Sequence, residues 1–68
     1  MNVNTNEYEL THGKAPRGTG YWAFLFYRMG MGLIVIEFAP GSQTYGAARK
    51  WAVAKAKELG ADRVAVAT

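Results

Sequence analysis

The sequence contains no cysteine among its 68 residues. Disulfides and thiolate metal sites are therefore excluded, and with no redox signature the cytoplasm is the default expected location. Other metal ligands are scarce, because His12 is the only histidine and the acidic residues are scattered along the chain. We expect neither a metal nor a cofactor.

The chain also has few residues that a catalytic site could combine. Its one serine, Ser42, lies in a turn far along the chain from His12, whereas serine-type hydrolysis needs a nucleophile, a base and an orienting acid together. Glu7 and Glu9 would share one face of a strand but are expected to be solvated surface charges. The glycines of segment 18–20 precede a predicted strand, whereas a dinucleotide-binding loop follows one. We predict that the protein is not an enzyme and has no small-molecule substrate.

The longest apolar stretch, residues 20–41, carries only two charges, Arg28 and Glu37. A membrane-spanning helix needs about 20 mostly apolar residues with few or no charges. Arg28 lies near the middle of the stretch, and Gly30 and Gly32 interrupt it. The stretch therefore predicts a β-hairpin, with no membrane contact.

Periodicity and turn residues predict one small α+β domain over residues 7–68, in the order β-β-β-α-β. Segment 1–6 is polar, lacks the features of a signal peptide and is expected to be a flexible leader. Segment 7–14 alternates apolar and polar residues, as a half-buried strand does. The predicted sheet is an antiparallel three-stranded meander, formed by segments 7–14, 21–28 and 33–39, plus a short fourth strand at the C-terminus, with one helix packed on one face.

The helix is predicted from Tyr45 to Leu59, with Thr44 as its N-cap and Gly60 as its C-terminal glycine. At 100° per residue its apolar stripe is mostly alanine, which allows a close approach to the sheet. The stripe consists of Tyr45, Ala48, Ala52, Ala56 and Leu59.

Both faces of the predicted hairpin are apolar. The first strand carries Trp22, Phe24, Phe26 and Arg28 on one face and Tyr21, Ala23, Leu25 and Tyr27 on the other. A three-residue turn would place the tyrosine face beside Leu33, Val35 and Glu37. A turn of two or four residues would place it beside Ile34, Ile36 and Phe38.

In either register one helix cannot cover both sides, so one sheet face is left for association. The simplest arrangement is a homodimer joined face to face, which would enlarge the thin core of a short chain. The predicted contact residues on this face are Tyr21, Leu25, Tyr27 and Val35.

The net charge of +3 permits either nucleic acid or an acidic host protein complex as the partner. Basic side chains beside stacking aromatics are typical of nucleic-acid binding, which is favoured narrowly. The alternative is an inhibitor or adaptor that acts by protein–protein contact. The candidate basic residues are Lys14, Arg17, Arg28, Arg49, Lys50 and Lys57.

Three predicted strands followed by a helix, with "GYWAFLF" in the middle strand and "TYGAARKWAVAKAKELG" in the helix, resemble two DNA-binding families across about residues 7–60. These are the arm-site-binding domain of tyrosine integrases and the plant ethylene-response-factor domain. The resemblance implies that the sheet lies in the major groove. The size and lack of cysteine also resemble small accessory proteins of phages and mobile elements, including anti-CRISPR inhibitors.

Overall fold

The computed structural model describes residues 2–67 and shows a small α+β domain with a mixed four-stranded sheet. The strand order in that sheet is β1-β6-β3-β4, and β2 and β5 form a separate antiparallel pair. The elements are β1 (Val3–Asn4), α1 (Asn6–His12), β2 (Thr19–Gly20), β3 (Ala23–Arg28), β4 (Gly32–Phe38), β5 (Gln43–Thr44), α2 (Tyr45–Leu59) and β6 (Arg63–Val66).

The predicted hairpin is confirmed as β3 and β4, which pair antiparallel. At its turn the Met31 N–H donates to the Arg28 carbonyl at 3.0 Å, and Gly30 has a φ of +85° that suits glycine. The register shifts between Phe26, opposite Val35, and Tyr27, opposite Leu33. A one-residue bulge therefore separates the two predicted registers. Next to the turn the strands pair as predicted for a three-residue turn, and beyond the bulge they pair as predicted for a turn of two or four residues.

The long helix is confirmed with the predicted bounds and both caps. The Thr44 hydroxyl accepts a hydrogen bond from the Ala47 N–H at 3.2 Å, which satisfies one of the helix's unpaired first-turn donors. Gly60 ends the helix in the left-handed region, with φ +72°. Its N–H donates to the carbonyls of Ala56 and Lys57.

The core lies between α2 and one face of the sheet. Ala48, Ala52 and Ala56 of α2 are fully buried, as predicted from the alanine stripe. They pack in one cluster with the largest fully buried side chains, Phe24, Phe26, Val64 and Val66. Each of these large side chains contributes roughly 1.5–3 kcal/mol by leaving water.

The predicted strand over residues 7–14 is wrong, because most of this segment forms α1. Tyr8 and His12 are four residues apart, so the same residues that alternate also share a helix face, and their rings stack at 4.0 Å. Leu10 is 86% exposed, so the alternation does not reflect burial. Gly13, with φ +73°, ends the helix.

The predicted three-stranded meander is also wrong, since the sheet is mixed and its last strand lies inside it. β6 is flanked by β3, with which it pairs antiparallel, and by β1, with which it pairs parallel. A central position suits β6 because Val64 and Val66 are buried against α2. The predicted leader 1–6 contributes β1 and the start of α1, while Met1 lies outside the described residues.

Candidate protein-binding face

The face of the sheet opposite α2 is apolar, and within residues 2–67 no helix packs flat upon it. Because side chains alternate along a strand, the burial of Phe24 and Phe26 on the α2 side places their neighbours on the opposite side. Leu25 pairs there with Ile36 of β4 and with Ala65 of β6. We call this surface the open face; its residues are Leu25, Tyr27, Leu33, Ile36 and Phe38.

Much of the open face is in contact with solvent. Leu33 is 48% exposed, Ile36 52% and Phe38 68%, and Tyr21 beside them is 75% exposed. Single exposed apolar residues are ordinary on a protein surface, but a contiguous group that includes aromatic rings is typical of an interaction site. β4 is also one of the two edge strands of this sheet, so its side chains can be reached from the side.

Helix α1 borders the open face without burying it. A groove of about 620 Å³ lies between them, with Glu7, Tyr8 and His12 on the helix side. Leu25 and Phe38 are among the sheet residues that line it. Tyr8 is half-buried and its ring lies 5.7 Å from that of Trp22, whereas the rest of α1 is exposed.

A smaller depression of about 210 Å³ continues from this groove and shares Glu7 and Leu25 with it. Arg63 and Tyr27 line its other part, with the Arg63 guanidinium carbon 4.9 Å from the centre of the Tyr27 ring. This contact is a cation–π interaction.

Among the described residues that line the groove and the depression, the carboxylate is Glu7 and the guanidinium is Arg63. Within residues 2–67, neither Glu7 nor Arg63 forms an ion pair or a side-chain hydrogen bond. The ion pair found in this range joins Lys55 and Glu37 at 3.7 Å, between α2 and β4.

The structure places three of the four predicted contact residues together. Leu25 and Tyr27 belong to the open face, and Tyr21 lines the groove beside it. Val35 does not, because it lies opposite the fully buried Phe26 and packs against the core. Its assignment to this face is corrected, since the bulge prevents a single register along β4.

The predicted basic residues are not gathered beside the open face. Arg49, Lys50 and Lys57 are exposed on α2, on the far side of the sheet. Arg28 lies near the C-terminal end of α2. The Nη1 atom of Arg28 is 3.7 Å from the position that a Cβ atom on Gly60 would occupy.

Lys14 and Arg17 are exposed in the loop between α1 and β2, and neither lines the groove or the depression. Arg63, which does lie on this side, was not among the predicted site residues. The period-two alternation of the last strand indicates the position of Arg63. Since Val64 and Val66 are expected on one side of the sheet, Arg63 falls on the other side.

The residues considered for catalysis are dispersed. His12 stacks on Tyr8, and Glu7 and Glu9, being two apart on a helix, do not share a face as they would in a strand. Glu9 instead accepts a hydrogen bond from the Thr5 hydroxyl. No group of three metal-ligating side chains occurs within the described part of the chain.

Tyr45 is partly buried against the core, and its pKa is shifted. Burial raises the pKa of Tyr45, and the nearby positive charge of Arg49 partly opposes this effect. The Tyr45 ring contacts that of Trp22 edge to face, with their centres 5.0 Å apart.

Neither helix in residues 2–67 has the length and apolar character needed to cross a membrane. Comparison with protein-family models, curated proteins and solved structures finds no match to this chain.

Proposed function

We propose that the protein is a non-enzymatic binding module that contacts a protein partner through the open face. The single observation that carries this proposal is the exposure of Leu33, Ile36 and Phe38 on a face that no helix covers. Fully burying an aromatic side chain removes about 150–250 Å² from water. Phe38 still exposes 68% of its surface, so it would be a strong contact residue.

The charge distribution favours a protein over nucleic acid at this face. Nucleic-acid surfaces combine stacking aromatics with several cations, because phosphate contacts supply most of the affinity. Beside the open face Arg63 is accompanied by the acidic Glu7, whereas Arg49 and Lys50 lie on the far side of the sheet. An apolar surface with balanced charges at its border fits an apolar protein surface better.

Affinity capture tests this proposal with two lysine substitutions that differ in position. Ile36→Lys places a charge within the open face, while Leu10→Lys changes a more exposed leucine on α1 that lines neither the groove nor the depression. We expect Leu10→Lys to bind like the wild type and Ile36→Lys to lose binding, with little dependence on salt between about 50 and 200 mM. Equal binding by all three forms would exclude the open face.

A second candidate is nucleic-acid binding through α2 rather than the sheet. The observation that favours it is the exposure of Arg49, Lys50 and Lys57 on a helix whose only acidic residue is Glu58. Binding of duplex DNA would then weaken steeply with salt and would be lost in Lys50→Glu while Ile36→Lys retained it. Absence of a mobility shift with random DNA at low salt would exclude this candidate.

A further inference from the structure

We propose that the partner of the open face is a second copy of this chain, packed face to face about a two-fold axis. The inference rests on the proposed function and names the occupant of the same surface. It predicts a symmetric dimer in which the two α2 helices lie on the outer sides.

The charges at the border of the open face are self-complementary. Glu7 and Arg63 line the same depression and neither has an ion-pair partner within residues 2–67. In a two-fold interface, if residue i contacts residue j of the other copy, then j also contacts i. One orientation therefore places each Glu7 beside the Arg63 of the second copy and forms two ion pairs, so that no charge at this border lacks a partner.

Such a contact would take a moderate share of the molecular surface. A stable interface buries about 800 Å² on each partner, which is about 18% of the 4417 Å² surface of the chain. The two longer dimensions of the molecule are 31 and 24 Å. The open face together with the border formed by α1 supplies an apolar centre and a polar rim, which is the usual composition of an interface.

A second copy would also add buried apolar surface, of which a short chain has little. Within residues 2–67, the large side chains that are fully buried in the core beneath α2 are Phe24, Phe26, Val64 and Val66. Two open faces in contact would add Ile36 and Phe38 of both copies to the buried apolar surface. Small domains without disulfides or metals often gain stability by oligomerisation, and this chain has no cysteine.

Sedimentation equilibrium of the intact chain tests the dimer directly. The monomer mass is 7.5 kDa, and we expect the wild type to reach twice this value as its concentration rises. Glu7→Arg alone should bring a second positive charge beside Arg63 of the other copy, and Arg63→Glu alone should oppose two acids. Each should weaken dimerisation at least about tenfold, because like charges brought together are strongly unfavourable.

Complementation separates this geometry from any other contact. An equimolar mixture of the Glu7→Arg and Arg63→Glu forms should associate as a heterodimer, and the double variant should dimerise like the wild type. Glu9→Arg, a matched charge reversal on the same helix but outside the groove and the depression, should leave the dissociation constant unchanged. Circular dichroism establishes that each variant is folded.

The possible failures differ in what they overturn. A wild-type mass that stays at 7.5 kDa up to millimolar concentration would overturn the second copy as the occupant, yet capture of another protein lost in Ile36→Lys would leave the proposed function intact. A dimer that Ile36→Lys does not disrupt would overturn the inference, since the copies would then meet elsewhere. A dimer without complementation between the charge variants would overturn the Glu7–Arg63 pairing.

Discussion

Leu25 of β3 and Ile36 of β4 lie directly opposite each other on the side of the sheet that α2 does not cover. Their neighbours Phe24 and Glu37 form the next pair, and Phe24 is fully buried beneath the helix. The same two strands thus bear the core on one side and an exposed apolar surface on the other.

Truncating one phenylalanine on each side should give very different losses of stability. Phe24→Ala removes a fully buried ring and should cost about 3–5 kcal/mol, much of the roughly 3–10 kcal/mol expected for a domain of this size. Phe38→Ala should cost under about 1 kcal/mol, because Phe38 is 68% exposed. Denaturant unfolding below the dimerisation range measures both, and equal losses would show that the faces are assigned incorrectly.

The N-cap of α2 gives a second prediction. Thr44→Ala removes the acceptor of the Ala47 N–H and should lower the free energy of unfolding by about 1 kcal/mol. Thr44→Ser keeps the hydroxyl and is the matched control, expected to retain most of the stability. Urea unfolding followed by circular dichroism compares them. Similar losses in the two variants would argue against a capping role for the hydroxyl.

The close packing of α2 predicts that larger residues will not fit beneath it. Ala52 is fully buried against the sheet, and Ala52→Leu should cost about 1–3 kcal/mol through strain. Ala54 is exposed on the same helix, so Ala54→Leu should change stability by less than about 0.5 kcal/mol. Thermal unfolding distinguishes the pair, and a stable Ala52→Leu protein would show that the helix lies farther from the sheet.

The raised pKa of Tyr45 predicts that the free energy of unfolding falls at alkaline pH. Since burial raises its folded-state pKa above the ordinary 10.0, the folded chain holds the phenol proton more tightly than the unfolded chain does. This contribution is fully present below pH 10 and is lost as the pH rises from there through the raised pKa.

Tyr45→Phe should therefore lose less stability than the wild type on going from about pH 9 to about pH 11. Denaturant midpoints measured across this range test the difference, because every other titratable group is the same in the two proteins. Parallel pH profiles for the two proteins would contradict the assignment to Tyr45.

The parts of the fold that could be predicted from sequence have strong local signals. Helix α2 has a hydroxyl cap at Thr44, a left-handed glycine at Gly60 and an apolar stripe between them, all of which agree. The hairpin has two apolar segments joined by a glycine-containing turn. These signals act within a few residues of one another, so tertiary contacts do not override them.

The wrong predictions arise where the local sequence pattern is ambiguous or where tertiary contacts decide the structure. In α1, Tyr8 and His12 satisfy both a strand period of two and a helix spacing of four, and only the exposure of Leu10 distinguishes the two. Counting along β4 cannot reveal a bulge, and one extra residue moved Val35 to the buried side. The proximity of Glu7 and Arg63 depends on β1 pairing with β6, a long-range contact with no local signal.

The association of the open face with protein is tested most directly by photo-crosslinking at single positions. The photoreactive residue p-benzoylphenylalanine replaces Phe38 in one form, and Lys50, exposed on the outer side of α2, in another. We predict protein adducts of defined mass from position 38, including one at twice the 7.5 kDa of the chain, and none from position 50. The absence of adducts at position 38, or the same adducts at both positions, would contradict the proposed use of this face.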